Sequence, residues 1–185
     1  MKMKLKLLSA GGKFFEVKEE VAMEFARIKS CLSDEEFHVS KEEKRRVIPV
    51  PMERRLVVMK DEVSNALVIP LGIEDSLVFE KVIHYCAKRV EFRTSNAPEA
   101  EEAMIKAFDS EFTRDLDKDI VMGMEFVAHC LDIGYLSSLM GQTLAHKFII
   151  GKTPEQIREC FGIVNDFTPE EERRVRQENA WAFPE

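Results

Sequence analysis

The sequence predicts an α/β protein of the α+β kind: a small sheet beside a helical core, with a two-helix C-terminal extension. Three observations lead there. Two short segments near the start, Lys4-Leu5-Lys6-Leu7 and Phe14-Phe15-Glu16-Val17, alternate at period two as half-buried strands do. A proline-bracketed apolar run, Val68-Ile69-Pro70-Leu71, is followed at once by a helical pattern, and beyond Ala103 the periodicity is helical almost throughout. With 185 residues, 45% hydrophobic and 33% charged, and only 8 Gly and 7 Pro, the chain has the composition of one compact domain plus an extension.

Each element follows from local chemistry. Ser9-Ala10-Gly11-Gly12 supplies a turn between the two alternating segments, so they form a β-hairpin. From Glu19 to Leu32, Val21, Met23, Phe25, Ile28 and Leu32 recur with few breakers, which suits a helix. From Ser33 to Asn65 charge clusters interrupt the pattern, and Val47-Ile48-Pro49-Val50-Pro51 nearly repeats the later Ile-Pro run. Proline in a short β-branched run marks an edge or terminal strand. A small sheet has room for one of the two copies, and the second has the better claim because a helix follows it. That helix, Asp75 to Val90, sets Leu77, Val78, Val82, Tyr85 and Cys86 at helical intervals. Arg93 to Ala103, with Thr, Ser, Asn and Pro, reads as a mobile loop that becomes helical toward Ile105. Asp117 to Leu131 and Leu136 to Ile149 are two helices whose short connection packs them antiparallel. In the first of these, Gly123 costs up to about 1 kcal/mol against Ala. Glu125 stands on the apolar stripe and snorkels from its edge, so the pair suggests a weakened core.

The end of the chain carries the clearest local signals. Thr153-Pro154-Glu155-Gln156 and Thr168-Pro169-Glu170-Glu171 each set a threonine cap, a proline at the first helical position and a Glu or Gln at the third. Helices therefore start at Pro154 and Pro169. The second is nearly all charge, with Glu170/Arg174 and Glu172/Arg176 at four-residue spacing. A helix so poor in apolar residues needs packing to be stable. The chain's single Trp, Trp181, sits beside Phe183 just after it. Two readings stand: Trp181 folds back on its own domain, or the last two helices form a groove that a partner helix completes.

Charge and motif inventory exclude most chemistry. Thirty-four acidic against 27 basic residues give a net charge of −7, unlike a phosphate-collecting surface. The basic clusters Lys44-Arg45-Arg46 and Arg173-Arg174 are interleaved with Glu and lack stacking aromatics. No apolar run is long enough to span a bilayer, and no secretory core is present at the start. The 4 cysteines, Cys31, Cys86, Cys130 and Cys160, form no close pair and read as reduced small hydrophobes. The 4 histidines fall in no metal-ligand spacing. No nucleophile elbow, phosphate loop or dinucleotide fingerprint occurs. A non-catalytic binding module without cofactor or metal is what remains.

Several runs together resemble a known family: Gly12-Lys13-Phe14-Phe15-Glu16-Val17, Val68-Ile69-Pro70-Leu71, Lys81-Val82-Ile83-His84-Tyr85-Cys86 and Leu131-Asp132-Ile133. The most specific is Gly151-Lys152-Thr153-Pro154-Glu155-Gln156-Ile157-Arg158, continued by Phe161-Gly162-Ile163-Val164-Asn165-Asp166-Phe167-Thr168-Pro169 and closing on Trp181-Ala182-Phe183. Over most of its length the chain resembles the S-phase-kinase-associated (Skp) adaptors, plant members above all. These bridge F-box proteins to a cullin in SCF ubiquitin ligases.

The resemblance implies a BTB/POZ-like fold over residues 1–107, with an insertion near 33–67. It implies a helical C-terminal part over 108–185, whose extension at 151–185 clasps the F-box. It implies no active site, an adaptor role in ubiquitin-dependent degradation, and a place in nucleus and cytoplasm. F-box contacts fall on Ile157, Phe161, Ile163, Asn165 and Trp181. The family's cullin-contacting Asn-Tyr pair is replaced here by His129 and Cys130, and Ala128 precedes them as in the family. That replacement opens an alternative, an F-box-binding paralogue that does not engage cullin.

Overall fold

Alternation at period two puts Leu7 of β1 (Lys4–Leu8) opposite Phe15 of β2 (Phe14–Val17), and Leu7, Phe15 and Val17 are all buried while Phe14 and Glu16 face water. The two strands pair antiparallel through a turn in which Gly12 takes φ +81°, a conformation glycine adopts without steric cost. Its N–H donates to the Ser9 carbonyl at 3.0 Å, and the buried Ser9 hydroxyl accepts from Lys13 N at 3.1 Å. The expected hairpin is present. The computed structural model describes residues 4–9, 12–33, 45–48, 56–61, 66–70, 76–94 and 98–182.

The sheet has five strands in the order β2-β1-β5-β4-β3, with β3 Arg45–Ile48, β4 Leu56–Asp61 and β5 Ala66–Pro70. β5 runs parallel to β1, placing Leu7 beside Ile69, and β4 pairs antiparallel with both β5 and β3. Val47 and Ile48 of the first copy, as well as Val68-Ile69-Pro70 of the second, therefore enter the sheet, which corrects the expectation that only one has a place. The reason is β4: its apolar run Leu56-Val57-Val58-Met59 stands between the copies and offers each a separate edge. Pro70 closes β5, as proline does at a strand end. The charge clusters at 34–44 and residues 49–55 lie outside the described residues.

The single helix expected from Glu19 to Leu32 is two, α1 (Glu19–Ala22) and α2 (Ala26–Ser33). The break carries Phe25 into the core, fully buried. It also aims Glu24 at α3 (Ser76–Thr94), where Arg93 Nη1 and Nη2 grip the carboxylate as a fork at 2.8 and 3.1 Å, and the Tyr135 hydroxyl donates to it at 3.1 Å. Arg89 lies over the Tyr135 ring at 4.7 Å. Beneath them Cys86 is fully buried, and that burial pushes its thiol up to about 12.

Residues 98–103 are helix, the start of α4 (Pro98–Arg114), which corrects the expected loop; residues 95–97 lie outside the described ones. The helix is held by aromatic packing that a local reading misses. Phe108 and Phe112, one turn apart, meet His84 and Tyr85 of α3, with centroids 5.1 Å apart for Tyr85 and Phe112. The Tyr85 hydroxyl donates to Asp109 Oδ1 at 2.6 Å.

Asp117 caps α5 (Lys118–Leu131) by accepting from Ile120 N at 2.8 Å, and Asp132 ends it at φ +57°. α6 (Gly134–Leu144) packs against α5 and passes into a π-helical turn at Ala145–Ile149, where a continuous α-helix is expected. Val121, Met124, Ala128, Leu131, Leu136 and Met140 are wholly buried. Gly123 is not a weak point: a Cβ there would stand 2.7 Å from the Val78 Cγ2 methyl, so the missing side chain is what lets α3 and α5 approach. Nor is Glu125 dry, since the Ser137 hydroxyl donates to it at 3.3 Å. The chain divides into two compact units, Met1–Ala145 and His146–Glu185.

Candidate partner-binding site

The second unit is built from its caps. Thr153 opens α7 (Pro154–Phe161) by accepting from Gln156 N at 3.3 Å while Gln156 Oε1 accepts from Thr153 N at 3.0 Å. Thr168 opens α8 (Pro169–Glu178) in the same way: its hydroxyl accepts from Glu171 N at 3.3 Å, and Glu171 Oε2 accepts from Thr168 N at 2.9 Å. That backbone donor holds the Glu171 carboxyl below its ordinary range. Both expected helix starts are where the sequence puts them. α7 stops at Gly162, which takes φ +64° and lets Ile163 N donate back to the Arg158 carbonyl at 2.8 Å.

Between the helices the chain is shaped by Asn165, whose Oδ1 accepts from Phe167 N at 3.3 Å and whose Nδ2 donates to Glu172 Oε2 at 3.4 Å. Glu172 also takes Arg158 of α7 at 3.5 Å and Arg176 of α8 at 3.3 Å, and Arg176 reaches Glu155. The Arg176 hydrogen bond first, then that from Asn165, lowers the Glu172 carboxyl from its usual value.

Around this polar frame the apolar side chains are bare. Trp181, on the 3₁₀ turn Ala180–Ala182, is 86% exposed, Val164 83%, Ile163 55% and Phe167 44%. Among the described residues of its own unit, nothing apolar covers Trp181. Ile157 and Phe161, one turn apart on α7, are half-buried. All five residues expected at the F-box groove thus lie in one unit, three on or at the ends of helices and two in the α7–α8 connection. Val164 and Phe167 join them without having been singled out, and so does Glu172, read in the sequence only as the helical ion-pair partner of Arg176. The signal for the first two is an apolar pair inside a connection, where exposure has to be expected. His129 and Cys130 belong to the first unit, at the end of α5, His129 exposed and Cys130 half-buried.

A shallow hollow of about 320 Å³ lies among Lys147, Phe148, Lys152, Gln156, Glu159 and Cys160. Among the described residues no group of three His, Cys, Asp or Glu could hold a metal ion, and no helix is long and apolar enough to cross a membrane.

The uncovered aromatic and aliphatic side chains of the capped two-helix unit are of the kind that marks an interaction surface. A family model described as Skp1 family, dimerisation domain, matches residues 135–182. SKP1-like protein 1A of Arabidopsis thaliana is 37% identical over 185 residues, covering 97% of each chain. SKP1-like protein 20 of Oryza sativa subsp. japonica is 36% identical, over 96% of this chain and 93% of its own. SKP1-like protein 12 of Arabidopsis thaliana is 35% identical, over 96% and 95%. The chain belongs to the Skp1 family, and a general adaptor role of the SCF kind goes with that membership.

Proposed function

We propose that this chain is the adaptor subunit of an SCF ubiquitin ligase, linking F-box substrate receptors to a cullin. The observation that carries the reading is the bare apolar surface of the capped extension, with Trp181 almost wholly in water. Ile157, Phe161, Ile163, Asn165 and Trp181 receive the F-box. Residues 1–107, BTB/POZ-like, and the end of α5 with His129 and Cys130 face the cullin. The adaptor breaks no bond: ubiquitin passes from the conjugating enzyme recruited through the RING subunit, and the adaptor raises its effective concentration near the substrate. It acts in nucleus and cytoplasm.

The test is the affinity of a cullin N-terminal domain for this protein preloaded with an F-box fragment, since preloading covers the apolar surface. Tight, saturable binding supports the reading. A stable F-box complex with no cullin affinity overturns the link and leaves an F-box-holding paralogue. For the groove itself, Trp181→Ala combined with Phe161→Ala weakens F-box binding by roughly a hundredfold or more, as loss of buried aromatic anchors does. Unchanged binding refutes the residue assignment.

A further inference from the structure

We propose that Glu172 is a positioning residue: paired with Arg158 and accepting from Arg176 and Asn165, it clamps α8 to α7 and pre-sets the surface that receives the partner. The inference deepens the F-box reading and rests on it for the identity of that partner.

Neither α7 nor α8 contains a buried residue, so a packed apolar seam does not fix their relative direction. Within α8 the only apolar side chain past the opening proline is Val175, half-buried, and a ten-residue helix of this composition is marginal by itself. The capping boxes stabilise each helix start, but a cap acts on its own helix and leaves the angle to the neighbour open. What crosses between them is charge. Glu172 Oε1 stands 3.5 Å from Arg158 Nη1 on α7 and 3.3 Å from Arg176 Nη2, one turn further along α8. Arg176 returns to Glu155 in the first turn of α7. The signs alternate along Arg158, Glu172, Arg176 and Glu155, and the series passes from α7 to α8 and back again.

The connection is tied to the same carboxylate. Asn165 Nδ2 donates to Glu172 Oε2 at 3.4 Å and its Oδ1 holds Phe167 N at 3.3 Å, so both ends of that amide shape the segment carrying Ile163, Val164 and Phe167. Arg158 lies 5.9 Å from the Phe167 ring centre. An isolated exposed ion pair contributes little. Here the pairs form one network in which Arg158 and Glu172 are 22% and 28% exposed while Arg176 and Glu155, at 43% and 55%, leave it open to added salt. Ordering this segment before the partner arrives removes that cost from the binding step.

The test uses the full chain with Glu172→Gln, which keeps shape and removes charge. Hydrogen exchange of the α8 and connection amides is measured in the free protein and in its complex with a recombinant F-box fragment, with affinity read at low and high salt. Free-state exchange should rise by about tenfold and affinity fall by a similar factor, because apparent affinity scales with the competent population. Exchange in the complex should match wild type, Glu172→Asp should recover most of the affinity, and the gap should close as salt screens the wild-type clamp. Unchanged free-state exchange overturns the clamp, and combined with lost affinity it makes Glu172 a direct contact instead. A gap indifferent to salt also overturns it. Wild-type protein that binds no F-box fragment refutes the F-box reading alone, because exchange in the free protein judges the clamp separately.

Discussion

Gly123→Ala puts two physical rules in opposition. Mid-helix, alanine is favoured over glycine by up to about 1 kcal/mol, so propensity alone predicts a more stable protein. The structure predicts the reverse. A Cβ at 123 would lie 2.7 Å from Val78 Cγ2 and 3.4 Å from Cγ1, where carbon atoms normally rest about 3.5 to 4 Å apart. Val78 is 2% exposed and β-branched, so no free rotamer relieves the overlap and α3 or α5 has to shift. Overpacking of this kind costs about 1–3 kcal/mol. Set against the propensity gain, the net is a loss of about 1 kcal/mol, or roughly 2–4 °C in melting temperature for a chain of this size. Val78→Ala alone should cost about 2 kcal/mol in lost burial. Combined with Gly123→Ala, it gives the new methyl room. The double variant should therefore be more stable than the sum of the singles by about 1–2 kcal/mol, measured by thermal and urea unfolding. A melting temperature that rises on Gly123→Ala, or strict additivity in the double variant, would refute the close approach of α3 and α5.

Two further outcomes concern the extension. Thr168→Ala removes the acceptor of Glu171 N and should destabilise the first turn of α8 by about 1 kcal/mol, read as faster amide exchange there, with Thr168→Ser close to wild type. Equal exchange in both variants would show that the cap contributes nothing. Acid should separate the two helices. The Glu171 and Glu172 carboxyls are held below their ordinary value, so the stability they contribute is complete above the usual carboxylate range and is lost as pH falls through their depressed values. The α7 box uses Gln156, which does not titrate, so acid reaches the start of α7 only through Glu155, lowered by a backbone hydrogen bond and by Thr153, while the α8 box itself loses its carboxylate. Amide chemical shifts should therefore show α8 fraying at a higher pH than α7, and simultaneous fraying would count against this assignment of the caps.

How far the sequence could be read depended on the range of the interactions involved. The hairpin and both Thr-Pro capping boxes lie within a few residues of the groups they satisfy, and each is where the pattern places it. Elements whose stability comes from a distant partner were misread. α4 looks like a loop at its start until Phe108 and Phe112 are seen against Tyr85. The stretch from Glu19 to Leu32 looks like one helix until Glu24 meets Arg93, 69 residues on. Val47 and Ile48 of the first Ile-Pro copy find an edge because β4 is there to offer one.

The sequence by itself determined the family: its motif runs carried the Skp resemblance that the relatives bear out. It also placed the five candidate groove residues in one short stretch, because a contiguous motif keeps them together in any fold. Only the tertiary structure decided that Trp181 stands in water, that Gly123 is a contact and not a flaw, and that Glu172 joins two helices through Arg158 and Arg176. Those facts depend on distances between side chains on separate elements, and burial, overlap and charge pairing are properties of such distances, which local periodicity does not encode.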